Sequence, residues 1–432
     1  MAEFLHCSGA ACPHYPSRVS ARPAERAPWA LRSLYLATGF WTAAIAPFSA
    51  VILQSRGVNT FTIGLLAALA SLAATVIVPS WGHLADVLVG RAYAFRVGVA
   101  ISAAGAVALL LPLPLIVHAV ILAIFSIFPV MFLALADALA MSALPRPERQ
   151  YGALRALASL SFAVGVIAAG YIYDITGYGA VALVSLLWSA VLLVLLGQTP
   201  DRTRDPAIRA LARPHDDDPA GGRFGSISRA MAVQPRLWAV LAVFTVASAG
   251  LQGALLFVGI RIVELGGQPS DVALTFGIAA FAEIPGFVLA GWMGRRIGIR
   301  WLATLALVVS GLCIGSWGVL STAAAINATR VVTGLLYGAY SSARVVVISR
   351  LLPPELQATG QTMAQAASSG LGNALGAVLG GVVYGVFGPL AFFGLAGGLI
   401  AAGGVGSWIV LHGPVGARMP ATDVPAPVLP SP

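Results

Sequence analysis

Length and composition exclude a soluble protein before any motif is considered. The chain has 432 residues, of which 58% are hydrophobic and only 9% are charged, and its mean hydropathy is +0.88. Soluble globular domains carry roughly 25% charged residues. Because a helix needs about 20 apolar residues to cross the hydrocarbon core of a lipid bilayer, the composition indicates a polytopic α-helical membrane protein. A soluble enzyme and a nucleic-acid-binding domain are excluded.

Hydrophobic runs separated by charged, proline and glycine residues predict twelve transmembrane helices, which we number as spans 1 to 12. The first six cover residues 32–54, 60–81, 92–111, 115–143, 152–173 and 178–198. The second six cover residues 237–263, 271–294, 300–320, 323–350, 357–387 and 389–412. The expected fold class is an all-α polytopic membrane protein made of two six-helix bundles.

Arginine placement predicts the orientation of these spans, since every basic residue of the chain is an arginine. With the N-terminus inside, 20 of the 25 arginines lie on the cytoplasmic side. Arg56 and Arg261 lie in outer loops, and Arg155, Arg330 and Arg344 lie within spans. Because short cytoplasmic loops are enriched in Arg and Lys, we expect both termini on the cytoplasmic side of a cell (inner) membrane.

The segments outside the bundles are polar. Residues 1–31 are expected to be a disordered cytoplasmic extension, and residues 413–432 a cytoplasmic tail. Between the bundles 32–198 and 237–412, residues 199–236 mix Arg with acidic residues, Pro and Gly, which indicates a flexible cytoplasmic linker. The sequences that end spans 5 and 11 are weakly similar, so we expect the two bundles to be parallel, pseudo-symmetric repeats. The protein is expected to be a monomer.

The sequence predicts no cofactor and no metal site. Cysteines are few and scattered, and the cluster His6, Cys7, Cys12 and His14 fits no standard zinc spacing. No span combines a nucleophile with a base, so an intramembrane enzyme is not expected.

The loop between spans 2 and 3 carries a glycine-rich motif, Gly82-His-Leu-Ala-Asp86-Val-Leu-Val-Gly90-Arg91. It resembles the signature of that loop in the major facilitator superfamily, G-x-L-a-D-r-x-G-r, with one extra residue between Asp86 and Gly90. The resemblance implies a transporter in which Asp86 braces one half against the other on the cytoplasmic face and helps to hold one access state. Gly82, Gly90 and Arg91 complete this predicted gating motif, because glycines permit a tight turn and Arg91 offsets the nearby charge.

Two charged residues within spans 4 and 5 form the main candidate binding site. Asp137 and Arg155 are 18 residues apart on consecutive antiparallel helices, each about two turns from the loop that joins them. A charge inside a span is costly, so such residues normally face a cavity and find partners. We expect an ion pair, which either binds substrate or only holds spans 4 and 5 together.

The sequence around Arg155 resembles two permease families. Tyr151-Gly152-Ala-Leu-Arg155-Ala-Leu-Ala-Ser159-Leu-Ser-Phe162 is similar to F-G-R-A-R-x-F-G of the lactose permease family, and more so to Y-G-x-x-R-x-x-x-S-x-x-F of the phenylpropionate permease branch. The resemblance implies that Arg155 and Asp137 bind substrate and that Phe162 stacks on a ring. The acid of the lactose permease family is a Glu, so the shorter Asp137 weakens the case for a sugar.

The second half contributes Glu283 in span 8 and Arg330 in span 10. Glu283 is the proton-coupling candidate, together with Asp137, because a carboxyl group within the membrane can bind and release a proton. The lactose permease family and the phenylpropionate permease branch both have a Glu at the position that matches Glu283. Arg330 matches a basic residue of lactose permease and joins the predicted binding set. Thr333 and Leu336 occupy the positions of the titrating His and Glu of that family. Proton coupling would therefore depend on fewer titratable side chains in this chain. Arg344 is expected to extend or pair near the cytoplasmic end of its helix.

These features predict a secondary active transporter that works by alternating access. Several arginines in the cavity favour a small polar or carboxylate-bearing organic solute, imported together with protons. The alternatives are an efflux carrier for a hydrophobic metabolite or drug, and a membrane sensor that binds a ligand without moving it. The fifth helix lacks the Gly-Pro motif of drug/proton antiporters, which favours import.

Overall fold

A computed structural model describes residues 29–144, 147–199, 222–353 and 356–417. Eleven helices of these segments are long and apolar enough to cross a membrane. Spans 1 to 6 are the helices Trp29–Ser55, Thr60–Leu84, Arg91–Leu110, Leu115–Ala143, Pro147–Thr176 and Val181–Gln198. Spans 7 to 10 are Arg236–Glu264, Pro269–Arg296, Ile299–Gly315 and Ala323–Leu351.

The last helical run, Thr359–Val410, contains 52 residues and forms both remaining spans. Its backbone leaves the helical conformation at Gly388, with φ 77° and ψ 180°, and Pro389 follows. The rings of Tyr384 and Phe392 lie 5.6 Å apart, whereas eight residues of straight helix would advance about 12 Å. The chain therefore turns back, residues 359–387 form span 11, residues 389–410 form span 12, and the predicted twelve spans are confirmed. A positive φ favours glycine at the turn.

The two halves use the same helix pairings. In the first half, span 1 packs on spans 5 and 6, and span 3 packs on span 6. In the second half, span 7 packs on spans 11 and 12, and span 9 packs on span 12. Each helix pair of the first half therefore has a counterpart six spans later in the second half, as expected for two parallel six-helix repeats.

We call the side of the membrane at which spans 1 and 7 begin the linker face, and the other side the opposite face. Before span 7, residues Gly222–Val233 form a helix within the segment that the sequence analysis described as a flexible linker. The predicted N-terminal extension up to residue 28, the linker residues 200–221 and the tail from residue 418 lie outside the described residues.

Contacts between the halves join spans 2 and 11, spans 5 and 8, and spans 1 and 7. Near the opposite face, the Thr60 hydroxyl at the start of span 2 donates to the carbonyl of Gly381, 3.1 Å away. The Asp174 carboxylate near the end of span 5 accepts a 2.9 Å hydrogen bond from the amide of Ser270 at the start of span 8. The halves are thus held together by polar contacts at the opposite face.

Candidate functional site

A cavity of about 840 Å³ lies between the two halves. Its wall comes from spans 1, 2, 4 and 5 of the first half and from spans 7, 8, 10 and 11 of the second. It extends from Pro47, in the part of span 1 nearer the opposite face, to Gln361, near the linker-face end of span 11. Phe162 of span 5 and Phe276 of span 8 both line it, so the predicted aromatic residue does face the space between the halves.

Asp137 is held by tyrosines that the sequence analysis did not identify as partners. The hydroxyl of Tyr35, which is fully buried on span 1, donates to Asp137 Oδ1 over 2.6 Å. The hydroxyl of Tyr151 at the start of span 5 interacts with the same carboxylate. Three helices of the first half therefore meet at Asp137, and the half-buried carboxylate has hydrogen-bond donors that stabilise it.

Arg155 does not form the expected ion pair with Asp137. Within the described residues, the two ion pairs closer than 4.0 Å are Arg91–Asp86 and Arg261–Glu264. Arg155 is exposed, and its charge acts on the tyrosines around Asp137 and, across the interface between the halves, on Glu283. The exposed guanidinium of Arg155 is therefore accessible to a solute.

Glu283 lies where span 8 packs closely on span 10. Gly334 and Gly338 of span 10 face the backbone of Ala279 and Glu283, and a Cβ atom added at Gly338 would lie 3.2 Å from Glu283 Cγ. Small residues at this spacing let two helix backbones approach closely. The half-buried carboxyl of Glu283 interacts electrostatically with both Arg155 and Arg330, so it links the two halves.

Arg330 is buried and anchored among polar groups of spans 8 to 10. Its Nε donates to the carbonyl of Thr275 over 2.8 Å, and its Nη1 donates to the hydroxyl of Thr333 over 3.2 Å. The guanidinium carbon also lies 5.6 Å from the centre of the Trp317 ring, within the range of a cation–π contact. Thr333, which replaces a titrating residue in the lactose permease pattern, thus serves as a partner of Arg330.

Arg344 lines the cavity, which the sequence analysis did not predict. Its Nη1 donates to the Ser368 hydroxyl over 2.8 Å, and its Nη2 lies 3.5 Å from Gln365 Oε1. Ser368 belongs to a π-helical segment, Ala366–Gly372, that interrupts span 11. Such segments are frequent at functional sites, but π-helical geometry leaves no recognisable signature in this sequence.

The predicted gating motif forms a compact turn at the linker face. Ala85–Val89 is π-helical, Gly90 has a φ of 90°, and Arg91 starts span 3. Arg91 Nε lies 2.6 Å from Asp86 Oδ1, and Arg91 Nη1 donates to the carbonyl of Ala138 on span 4 over 2.7 Å. Asp86 thus pairs within its own half in this conformation. Gly82 lies near the end of span 2 with open space around its Cα.

In the described part of the chain, no group of three or more His, Cys, Asp or Glu side chains is placed to hold a metal ion.

Comparisons with known proteins agree with this architecture. The model of the "MFS_1 like family" matches residues 29–395. The "Maltose permease" of Geobacillus stearothermophilus is 26% identical over 347 residues, which is 78% of this chain and 83% of the permease. The "Uncharacterized transporter YwbF" of Bacillus subtilis (strain 168) is 22% identical over 349 residues, or 80% of this chain and 83% of that protein.

Solved structures show the same fold at low sequence identity. The nucleoside transporter NupG superposes with a TM-score of 0.72 at 13% identity, covering 89% of this chain and 98% of that one. A POT family transporter in complex with a thioalcohol-conjugated peptide gives a TM-score of 0.66 at 12% identity, covering 89% and 95%.

Proposed function

This chain belongs to the MFS_1 like family and is a transporter of the major facilitator type, and we propose that it imports a small polar or carboxylate-bearing organic solute together with protons. The observation that carries the proposal is a set of charged residues reaching across both halves. Asp137 and Arg155 come from the first half, Glu283 and Arg330 come from the second, and Arg155 interacts with Glu283 between them.

The positions of the contacts between the halves support a mechanism of alternating access. They are joined near the opposite face through Thr60–Gly381 and Asp174–Ser270, while the cavity reaches towards the linker face. In the access state we propose, the opposite face is closed. The arginine distribution supports a cytoplasmic linker face, so this state would release an imported solute. Rocking of the halves would break the opposite-face contacts and expose the site outside.

Arg155 and Glu283 together offer a way to couple solute to protons. An ionised Glu283 attracts the Arg155 guanidinium and competes with any solute that needs it. A proton on Glu283 removes that attraction and leaves the guanidinium free to donate a pair of hydrogen bonds to a solute oxygen. Solute and proton therefore bind favourably together, as a symporter requires. Asp137, held by Tyr35, supplies the fixed acceptor on the first half.

Candidate solutes come from the relatives and from the resemblances around Arg155. The similarity to a maltose permease suggests sugars, the fold shared with NupG suggests nucleosides, and the phenylpropionate permease pattern suggests aromatic carboxylates. Phe162 and Phe276 line the cavity, and an aromatic side chain can stack on the flat face of a sugar, base or phenyl ring.

The experiment is uptake into proteoliposomes with an acidic exterior and an alkaline interior, using radiolabelled maltose, uridine and 3-phenylpropionate. We expect one solute to accumulate above equilibrium, accumulation to stop when a protonophore is added, and Arg155→Gln to abolish it. Arg56→Gln, which removes an exposed charge between spans 1 and 2, is the matched control and should accumulate normally. Equal accumulation in Arg155→Gln would contradict the assigned site. Proton-driven extrusion of a hydrophobic dye, with no solute accumulation, would favour the efflux carrier.

A further inference from the structure

Arg344 is the one charged residue among the described residues that line the cavity. Within the described residues, no carboxylate lies within 4.0 Å of its guanidinium. By contrast, Arg155 and Arg330 interact electrostatically with Glu283. Arg344 therefore places, at the cavity wall, a positive charge without an ion-pair partner in the described chain.

The partners of Arg344 are neutral. Within the described residues, its guanidinium hydrogen-bonds to the Ser368 hydroxyl and the Gln365 side-chain oxygen, and its charge acts on the nearby Tyr337 and Tyr340. An unpaired charge within a membrane span is costly and normally indicates a functional role. A guanidinium has five N–H donors in a planar fork, and these two contacts leave donors for a further group.

The surrounding wall offers a second polar contact. Asn373 of span 11 lines the cavity, and its Oδ1 atom is buried without a hydrogen-bond donor in the described residues. A buried acceptor without a hydrogen-bond donor is destabilising. Ser368, the partner of Arg344, belongs to the π-helical segment Ala366–Gly372, which ends directly before Asn373. A ligand with an anionic group and a nearby donor would satisfy both Arg344 and Asn373.

From this geometry we propose that Arg344 binds a carboxylate group of the transported solute at the linker-face end of the cavity, and that the solute is an organic anion. The inference rests on the proposed transport function and selects one of its solute classes. Arg344 lies seven residues before Leu351, the end of span 10, so the anionic end of the solute would point towards the linker face. The less polar end would then lie beside Phe162 and Phe276.

The test compares acid and neutral members of matched pairs by thermal shift of the purified full-length protein in detergent. The probes are 3-phenylpropionate against 3-phenylpropanamide, and glucuronate against glucose. We expect one acid, and not its neutral partner, to stabilise the wild type. Arg344→Gln should raise the Kd of that acid at least tenfold, and Arg344→Lys should retain part of the affinity because it keeps the charge but loses the fork.

Arg229→Gln is the matched control, since Arg229 is exposed on the helix Gly222–Val233, away from the cavity wall. It should bind the acid like the wild type. A neutral probe that stabilises the wild type and Arg344→Gln equally would overturn the inference while leaving the transport function intact. Equal binding of the acid to Arg344→Gln would also overturn it. If no acid of the pairs stabilises the protein although uptake of a neutral solute is observed, the solute is not an organic anion.

Discussion

Arg155 on span 5 and Glu283 on span 8 belong to different halves of the molecule, yet their charges interact across the interface between them. Spans 5 and 8 pack against each other, with Gly277 of span 8 against Ile167 and Ala163 of span 5. Because the halves must move relative to one another during transport, an interaction between these residues is sensitive to both solute and conformation. Our proposal for coupling depends on it.

Loss of Arg155 should weaken binding without unfolding the site. Arg155→Gln removes the guanidinium, but Asp137 keeps its 2.6 Å hydrogen bond from Tyr35, so we expect the fold to persist. A tenfold or larger loss of solute affinity, about 1.4 kcal/mol or more, is the predicted effect. Thermal shift titration with the transported solute measures it, and unchanged affinity would assign Arg155 to helix packing alone.

Glu283→Gln should separate transport from proton movement. The amide cannot release a proton, so accumulation driven by a pH gradient should disappear while exchange of labelled for unlabelled solute continues. Counterflow and gradient-driven uptake in the same proteoliposomes measure the two activities. Glu264→Gln, at the opposite-face end of span 7 where Glu264 pairs with Arg261, should keep both. Gradient-driven accumulation by Glu283→Gln would remove this residue from the coupling mechanism.

Tyr35→Phe should affect both stability and function. The change deletes a buried hydrogen bond to a carboxylate, for which the expected cost is about 1.5 to 3 kcal/mol, and it leaves Asp137 less well positioned. Tyr173 provides a matched comparison, because its buried hydroxyl donates to the carbonyl of Ala44 over 2.7 Å, away from the charged residues. Both variants should lower the thermal midpoint, but Tyr35→Phe alone should lower solute affinity. Equal affinity in the two variants would limit Tyr35 to a structural role.

A substitution at Gly338 tests the close approach of spans 8 and 10. A Cβ atom at this position would contact Glu283, so Gly338→Ala should force the helices apart at a cost of about 1 to 3 kcal/mol. A Cβ atom at Gly394 of span 12 would meet nothing within 4 Å, and Gly394→Ala should leave the thermal midpoint unchanged. If the two substitutions behave alike, the interface is looser than described.

Local sequence patterns were sufficient for much of the fold. Apolar runs and their breaks predicted the spans, including the division at Gly388, because the cost of exposing backbone polar groups to lipid leaves few alternatives to helices. The helix Gly222–Val233 was missed because polar composition indicates a linker whether or not part of it is helical.

Contacts within the site depended on tertiary structure. The 18-residue spacing of Asp137 and Arg155 suggested a direct pair, but spacing cannot show that Tyr35, 102 residues from Asp137, takes the hydrogen-bonding position. The interaction of Arg155 with Glu283 depends on how the halves meet. Arg344 was expected near a helix end because the sequence does not show that span 11 presents Ser368 to it.

The most direct test of the coupling between Arg155 and Glu283 is the pH dependence of solute affinity in the wild type and in Glu283→Gln. Isothermal titration of the detergent-purified proteins across the acidic to mildly alkaline range measures it. Because a proton on Glu283 frees Arg155 for the solute, we predict that wild-type affinity rises as the pH falls, and that Glu283→Gln binds tightly with little dependence on pH. The same pH dependence in both proteins would contradict the account.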